Sequence, residues 1–150
     1  NLEIDTGTLG GAIQLIGGVM GTSLENITLT AGAGNVAIGA IGTGTEIADV
    51  SITNFSGDGG GLKANVNRWR KQLGLQPQSG DMINKSMLIK TSKLGEYKLI
   101  KIQNDSNQDS AFLCSIIEIK NSTIFVKMKA SLEGINQLEN EFIKFCSSFK

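Results

Sequence analysis

Residues 1–61 contain no lysine or arginine, and this asymmetry constrains the fold more than any other feature of the sequence. They carry six acidic side chains: Glu3, Asp5, Glu25, Glu46, Asp49 and Asp58. They also hold 15 of the 19 glycines and a single aromatic residue, Phe55. All 14 basic residues lie beyond this stretch, with the other eight acids, so a segment of charge −6 meets one of +6 and the whole is neutral. A stretch so poor in large side chains cannot interlock a core in the way the rest can. The chain of 150 residues is long enough for one domain, or for one domain with an appendage. The sequence predicts a Gly/Thr-rich β segment over 1–45 and a second, mixed domain over 46–150.

Within the glycine-rich stretch, short strands recur. Asn1–Thr6, Asn26–Thr30 and Asp49–Thr53 each alternate an apolar residue with a small or acidic one, the period of a half-buried strand. The step from Asn26 to Asp49, between the second and the third, is itself repeated. The same spacing relates Ala12-Ile13-Gln14-Leu15 to Asn35-Val36-Ala37-Ile38, and Leu24-Glu25-Asn26 to Ile47-Ala48-Asp49. Gly21-Thr22 and Gly44-Thr45 punctuate the latter pair. A period in the twenties made of strand and turn is the signature of a solenoid, whose coils bury their apolar faces only by stacking. Consecutive strands of an ordinary sheet, joined by glycine turns, give the same local pattern. The stretch resembles the Gly/Thr/Val-rich repeats of bacterial surface proteins of the filamentous-haemagglutinin or adhesin type.

From Glu46 onward the pattern becomes α+β. Glu46–Phe55 reads as a strand and Ser56–Gly61 as a forced loop. A helix follows, because Leu62, Val66, Trp69 and Leu73 fall on one stripe. Gly74 is placed to cap that helix, Leu75 to make the contact beyond the cap, and Pro77 to block continuation. Strands are expected at Met87–Thr91, Tyr97–Gln103, Ala111–Lys120 and Thr123–Ala130. The last two form a hairpin about Asn121-Ser122, with Ala111–Lys120 central and Thr123–Ala130 half exposed. Asn104–Asp109 reads as a polar loop. On Tyr97–Gln103, Tyr97 and Leu99 share one face, Ile100 and Ile102 the other. A final helix runs from Ser131 or Gly134 to Ser148, with Ile135, Leu138, Phe142, Phe145 and Phe149 on its core-facing side. The expected fold is thus an antiparallel sheet covered by two helices, preceded by a Gly/Thr-rich all-β segment.

One junction carries a specific resemblance. Ala48-Asp49-Val50-Ser51-Ile52-Thr53-Asn54-Phe55 leads through Gly57-Asp58-Gly59-Gly60-Gly61 into Leu62-Lys63-Ala64-Asn65-Val66-Asn67-Arg68-Trp69-Arg70-Lys71-Gln72-Leu73-Gly74-Leu75. It resembles a family of uncharacterised bacterial secreted proteins and lipoproteins marked by Gly-Asp-x-Gly-Gly, then Asn-Val-Asn-Arg-Trp-Arg and Gln-x-Gly-Leu. The order of elements over 76–150 is similar to the PsbP-like α-β-α sandwich. The resemblance implies a cell-envelope protein without known catalysis. It also implies an opening strand with Trp and Pro before the motif. Here that region has neither residue, so either a divergent hairpin or repeat-type sequence stands in its place.

Two groups of residues are candidates for contact with a ligand or partner. Asp58, Gly59, Gly60 and Gly61 lie between a strand and a helix, where backbone N–H groups attract anions. No Walker loop is formed, because Leu62 separates Gly61 from Lys63 and Ala64 follows. Asp58 opposes an anion; the structural alternative has it hydrogen-bonding the loop or capping the helix. Asn65, Asn67, Arg68, Trp69 and Arg70 form the second group. Trp flanked by Arg and Asn can make a binding hot spot. Alternatively Trp69 belongs to the core stripe, and Arg68 or Arg70 reaches an acid or backbone carbonyls.

The chain has no histidine, which removes the commonest general base, metal ligand and triad member. Its two cysteines, Cys114 and Cys146, are too few for a zinc site and read as buried thiols or, in an oxidising compartment, as a disulfide. No catalytic residue, metal or cofactor is expected. No apolar run is long enough for a membrane-spanning helix. Nucleic acid is an unfavoured partner, since the basic residues lack interleaved aromatics. A chain that starts at Asn1 reads as a fragment or processed product. The functional expectation is a non-enzymatic, extracytoplasmic binding or structural module, partnered by a protein or cell-envelope component. The alternatives are a terminal fragment of a surface adhesin with β-solenoid repeats, and an anion-binding domain using Gly57–Gly61.

Overall fold

The computed structural model describes residues 2–5, 13–15, 27–30, 36–40 and 48–150. Nine strands and three helices are found among them, in the order β1 (Leu2–Asp5), β2 (Ile13–Leu15), β3 (Ile27–Thr30), β4 (Val36–Ala40), β5 (Asp49–Ser56), α1 (Leu62–Gln72), α2 (Gly80–Lys85), β6 (Leu88–Ser92), β7 (Gly95–Asn104), β8 (Asn107–Ile119), β9 (Ser122–Ala130) and α3 (Leu132–Ser147). The five strands β5-β9-β8-β7-β6 form an antiparallel sheet, so the chain is mixed α and β. Strands β6 to β9 are a meander, and β5 closes against β9. On the far side of β5 the sheet continues with β4, antiparallel, and then β2, parallel to β4. β1 and β3 form a separate parallel pair.

The three segments expected as strands contain β1, β3 and the start of β5, and the two that share the repeat spacing contain β2 and the start of β4. β2 and β4 pair in parallel with Ile13 opposite Val36, which is the repeat spacing read from the sequence. β1 and β3 pair in parallel with Leu2 opposite Ile27, a slightly longer step. The equal spacing of the segments at Asn26 and Asp49 has no counterpart in pairing, because β5 turns back antiparallel onto β4. The Gly-Thr pairs 21–22 and 44–45, the 24–26 segment and Glu46-Ile47 lie outside the described residues. So does the 45/46 boundary.

The alternation of β7 is as the sequence predicts. Tyr97 and Leu99 join one apolar cluster with Ala111, Leu113, Ile117, Val126, Met128 and the α3 residues Ile135, Phe142 and Cys146. Ile100 and Ile102 join another with Phe112, Ile116, Phe125, Val66 and Trp69 of α1, and Ile83 of α2. β7, β8 and β9 therefore feed two cores through their two faces, which is why β8 is buried without interruption from Ala111 to Ile117. Expectation and structure part at β9. It is not half exposed: Phe125, Val126 and Met128 are buried, because β5 and β8 flank it and both its faces are packed.

Three further boundaries differ. The polar stretch Asn104–Asp109 is mostly strand: β7 and β8 run through to a two-residue link at Asp105-Ser106, with their polar ends in solvent. The β8–β9 turn is Lys120-Asn121, one residue earlier than expected. The sequence predicts two helices where three exist. No helix is expected between Pro77 and the strand at Met87, yet Ser79 caps a short helix by accepting from Met82 N at 3.3 Å, and Asp81 lies in its first turn. Ile83 anchors that helix in the α1-side core. α3 begins as the sequence suggests, with Ser131 Oγ accepting from Gly134 N at 2.9 Å.

Candidate functional site

The β5–β9 register fixes where the glycine loop lies. Phe55 faces Thr123 and Ser56 faces Ser122, so the chain leaves the sheet beside the β8–β9 turn. There Gly57 N donates to Asn121 O at 2.8 Å and Thr123 Oγ1 donates to Gly57 O at 2.7 Å. Gly57, Gly59, Gly60 and Gly61 all have positive φ. Asp58 holds the turn from within: its Oδ1 accepts from Gly60 N at 3.0 Å and its carbonyl from Gly61 N at 3.1 Å. Of the two structural roles open to Asp58, only the loop contact is present. Gly61 is the residue at the α1 N-cap, and no side chain caps there. Three of the loop amides that could have faced an anion thus have internal acceptors, and one of those is a carboxylate.

α1 is locked to this loop by a buried amide. Asn65, 1% exposed, donates from Nδ2 to Gly59 O and Gly61 O, both at 2.9 Å. Its Oδ1 accepts from an Arg68 Nη at 2.5 Å. Every hydrogen-bonding group of the Asn65 amide is used, as burial demands. One face over, Trp69 is buried and meets Phe125 edge to face at a centroid distance of 5.8 Å. Phe125 in turn meets Phe55 in the same manner at 5.7 Å. The three rings form a wedge under the loop.

Asn67 and Arg70 face the other way, toward the segment leading into α2. Asn67 Nδ2 donates to Gln78 O at 3.0 Å while Gln78 N donates to Asn67 Oδ1 at 2.8 Å, a two-point clasp on the backbone just before the Ser79 cap. Arg70 Nε donates to Gln76 O at 2.9 Å. The end of α1 is the capped form the sequence predicts. Gly74 has φ 72°, its N–H bonds Lys71 O, and the Leu75 N–H reaches back to Arg70 O, the paired pattern of a Schellman motif.

The nine candidate residues are therefore adjacent in the fold but do not converge on one cleft. Asp58, Gly59, Gly60, Gly61, Asn65 and Arg68 make the loop latch. Trp69 belongs to the core, and Asn67 and Arg70 fasten α2. Sequence reasoning missed two residues that complete this scaffold. Asn104 Nδ2 donates to Leu73 O at 2.8 Å and so holds the far end of α1, and Thr123 holds Gly57. Asn104 opens a run that reads as loop, and nothing local marks it as a clamp.

Cys114 and Cys146 are free and buried, one in the α1-side core and one in the α3-side core, so they do not pair. Burial pushes the Cys146 thiol up to about 12, against a smaller opposing effect of Ser115. Burial raises Cys114 further, offset only in part by Lys127. Neither is a nucleophile at neutral pH. The buried Ser115 hydroxyl lies outside hydrogen-bond geometry, so its help to the Cys146 thiolate is slight. Burial also raises Tyr97, whose hydroxyl meets Ser147 Oγ at 2.9 Å.

Among the described residues, no helix is long and apolar enough to cross a membrane, and no three His, Cys, Asp or Glu side chains group as metal ligands. No family model, curated protein or solved structure matches the chain.

Proposed function

We propose that this chain is a non-enzymatic, extracytoplasmic module of PsbP-like α-β-α architecture that acts by binding or by supporting other parts of an envelope protein. The observation that carries this reading is the fate of the polar motif at the loop and α1. Asn65, Asn67 and Arg70 all bind the chain's own backbone carbonyls or amides, and Arg68 donates to Asn65. Helices on both sides of an antiparallel sheet, one core shared with α1 and α2 and the other with α3, suit the PsbP-like arrangement. An antibody raised to the chain tests the location. It should find the protein in the envelope or the medium of fractionated source cells; a purely cytoplasmic pool would sink the reading.

The surface-adhesin reading also has an observation in its favour. Parallel pairing of Ile13 with Val36 and of Leu2 with Ile27, each a step in the twenties, is the geometry of stacked solenoid coils. β4 would end the stack by accepting β5 antiparallel. In this version the module caps a β-solenoid stalk. Oxidation of a Gln14→Cys/Ala37→Cys variant should cross-link the two strands within one molecule, since these positions are partners. Cross-linking of Gln14→Cys/Gly39→Cys instead would show another register and remove the support.

A further inference from the structure

Four large apolar side chains are exposed among the described residues, and three of them fall in the consecutive elements α2 and β6: Met82 of α2, 55% exposed, and Leu88 and Ile89 of β6, 55% and 57% exposed. α2 runs directly into β6, and β6 is the last strand of the sheet. It pairs with β7 on one side and with no described strand on the other. Leu88 and Ile89 are consecutive, so they project from opposite faces, and the edge is apolar on both. Their register partners on β7 are the buried Leu99 and the half-buried Lys98, so the described sheet stops at β6 beside a packed strand. A free edge also presents unpaired N–H and C=O groups at alternate residues.

Charge selects what such an edge can accept. Lys85, Lys90 and Lys93 bracket the apolar pair, and Asp81 and Glu96 are the acids beside them. None of these lysines has an ion pair among the described residues, whereas Lys98, Lys101 and Lys144 each have a glutamate. A lysine in mid-edge is a usual guard against self-pairing. A second copy laid antiparallel on β6 would bring the two sets of lysines together. Opposite charges placed across a strand pair stabilise it, and like charges destabilise it.

We propose that β6 is a strand-addition site for an extended segment of a protein partner that alternates apolar and acidic residues. On the face of Ile89 the apolar residues cover that side chain. On the opposite face, which Leu88 shares with Lys90, the carboxylates meet Lys90 while their stems lie along Leu88, and the backbone completes the ladder. This deepens the binding-module reading and rests on it, but its test is independent of where the protein resides.

The probe is a synthetic heptapeptide alternating valine and glutamate, titrated into the full isotope-labelled chain and followed by NMR. Backbone amide shifts should concentrate in Leu88–Ser92 and fall away with added salt. Lys90→Glu should weaken binding by about tenfold. Ile89→Lys, a second change at an exposed position, should weaken it as well, so the test survives if either variant folds poorly. A valine–lysine heptapeptide should not bind. Unmoved β6 amides at millimolar peptide, equal binding of the two peptides, or sedimentation of the chain alone as a dimer that Ile89→Lys dissociates would each overturn the proposal.

Discussion

A Cβ added at Gly59 would stand 2.6 Å from Cε2 of Phe125 and 3.3 Å from Cβ of Phe55, at a φ of 61° that L side chains rarely adopt. Phe125 cannot easily yield, because Trp69 and Phe55 hold it from two sides. Gly60 has a φ of 89° and open space around it. Gly59→Ala should therefore destabilise the protein by roughly 2–4 kcal/mol, combining overpacking with backbone strain. Gly60→Ala should cost about 1–2 kcal/mol from strain alone. Urea denaturation of the two variants measures the difference, and equal losses would mean that the ring wedge moves aside. A second residue-scale effect follows from the thiols. Burial raises the folded-state pKa of both cysteines above the ordinary value of 9.0. The proton is thus held more tightly in the folded state, so stability holds below pH 9 and falls as pH rises toward the folded pKa. The slope should approach about 1.4 kcal/mol per pH unit per thiol, and Cys146→Ala should flatten it in alkaline denaturation. At this scale the sequence speaks clearly where backbone demands a residue type, as at Gly74. It is silent where a side chain's partner is remote: Asn65 and Asn67 look alike in the motif, yet one locks the loop and the other holds α2.

At the scale of elements, α1 is a strut fastened at three points. Asn65 holds its start to the loop, Asn104 holds its end to the β7–β8 hairpin, and Asn67 ties its middle to Gln78. α2 has only six residues and depends on outside support, as a helix this short is unstable alone. Asn67→Ala removes both bonds to Gln78 and should raise the exchange rate of the Ile83 and Ser86 amides by about tenfold, or roughly 1.4 kcal/mol of local opening. The α3 amides should be unaffected, because that helix belongs to the other core. Slowed or unchanged exchange in α2 would show that Ile83 alone holds the helix. The long periodic elements, α1 and α3, are legible in the sequence because their apolar stripes span several turns. α2 is not, because so short a helix gives no stripe and Ser-Gly-Asp is as common in turns as at caps. β9 misleads for a different reason. Lys127 and Lys129 alternate with apolar residues as on a solvated strand, yet Lys127 lies over the Phe112 ring at 4.9 Å and keeps its stem in the core.

For the whole molecule, the division of charge between 1–61 and 62–150 does not coincide with any gap in hydrogen bonding. β5 carries Asp49 from the acidic stretch, yet pairs along its full length with β9 from the basic one, Asp49 opposite Lys129. On its other edge β5 pairs with β4 through Val36–Ile52 and Ile38–Val50. If β4 is an integral strand, removing residues 1–45 converts β5 from an inner strand into an edge. The buried Val50 would lose a neighbour, and a row of backbone groups would open beside it. A 46–150 fragment should then melt about 4–8 °C below the full chain, the shift expected for about 1 kcal/mol in a domain near this size. It should also self-associate through the new edge, which light scattering would detect. A fragment that melts at the same temperature and stays monomeric would mean that the glycine-rich strands merely adjoin the sheet. In that case the two halves, different in glycine and charge, would also be separate in energy, and the antiparallel β4–β5 pairing would contribute nothing to holding the β5–β9 core together.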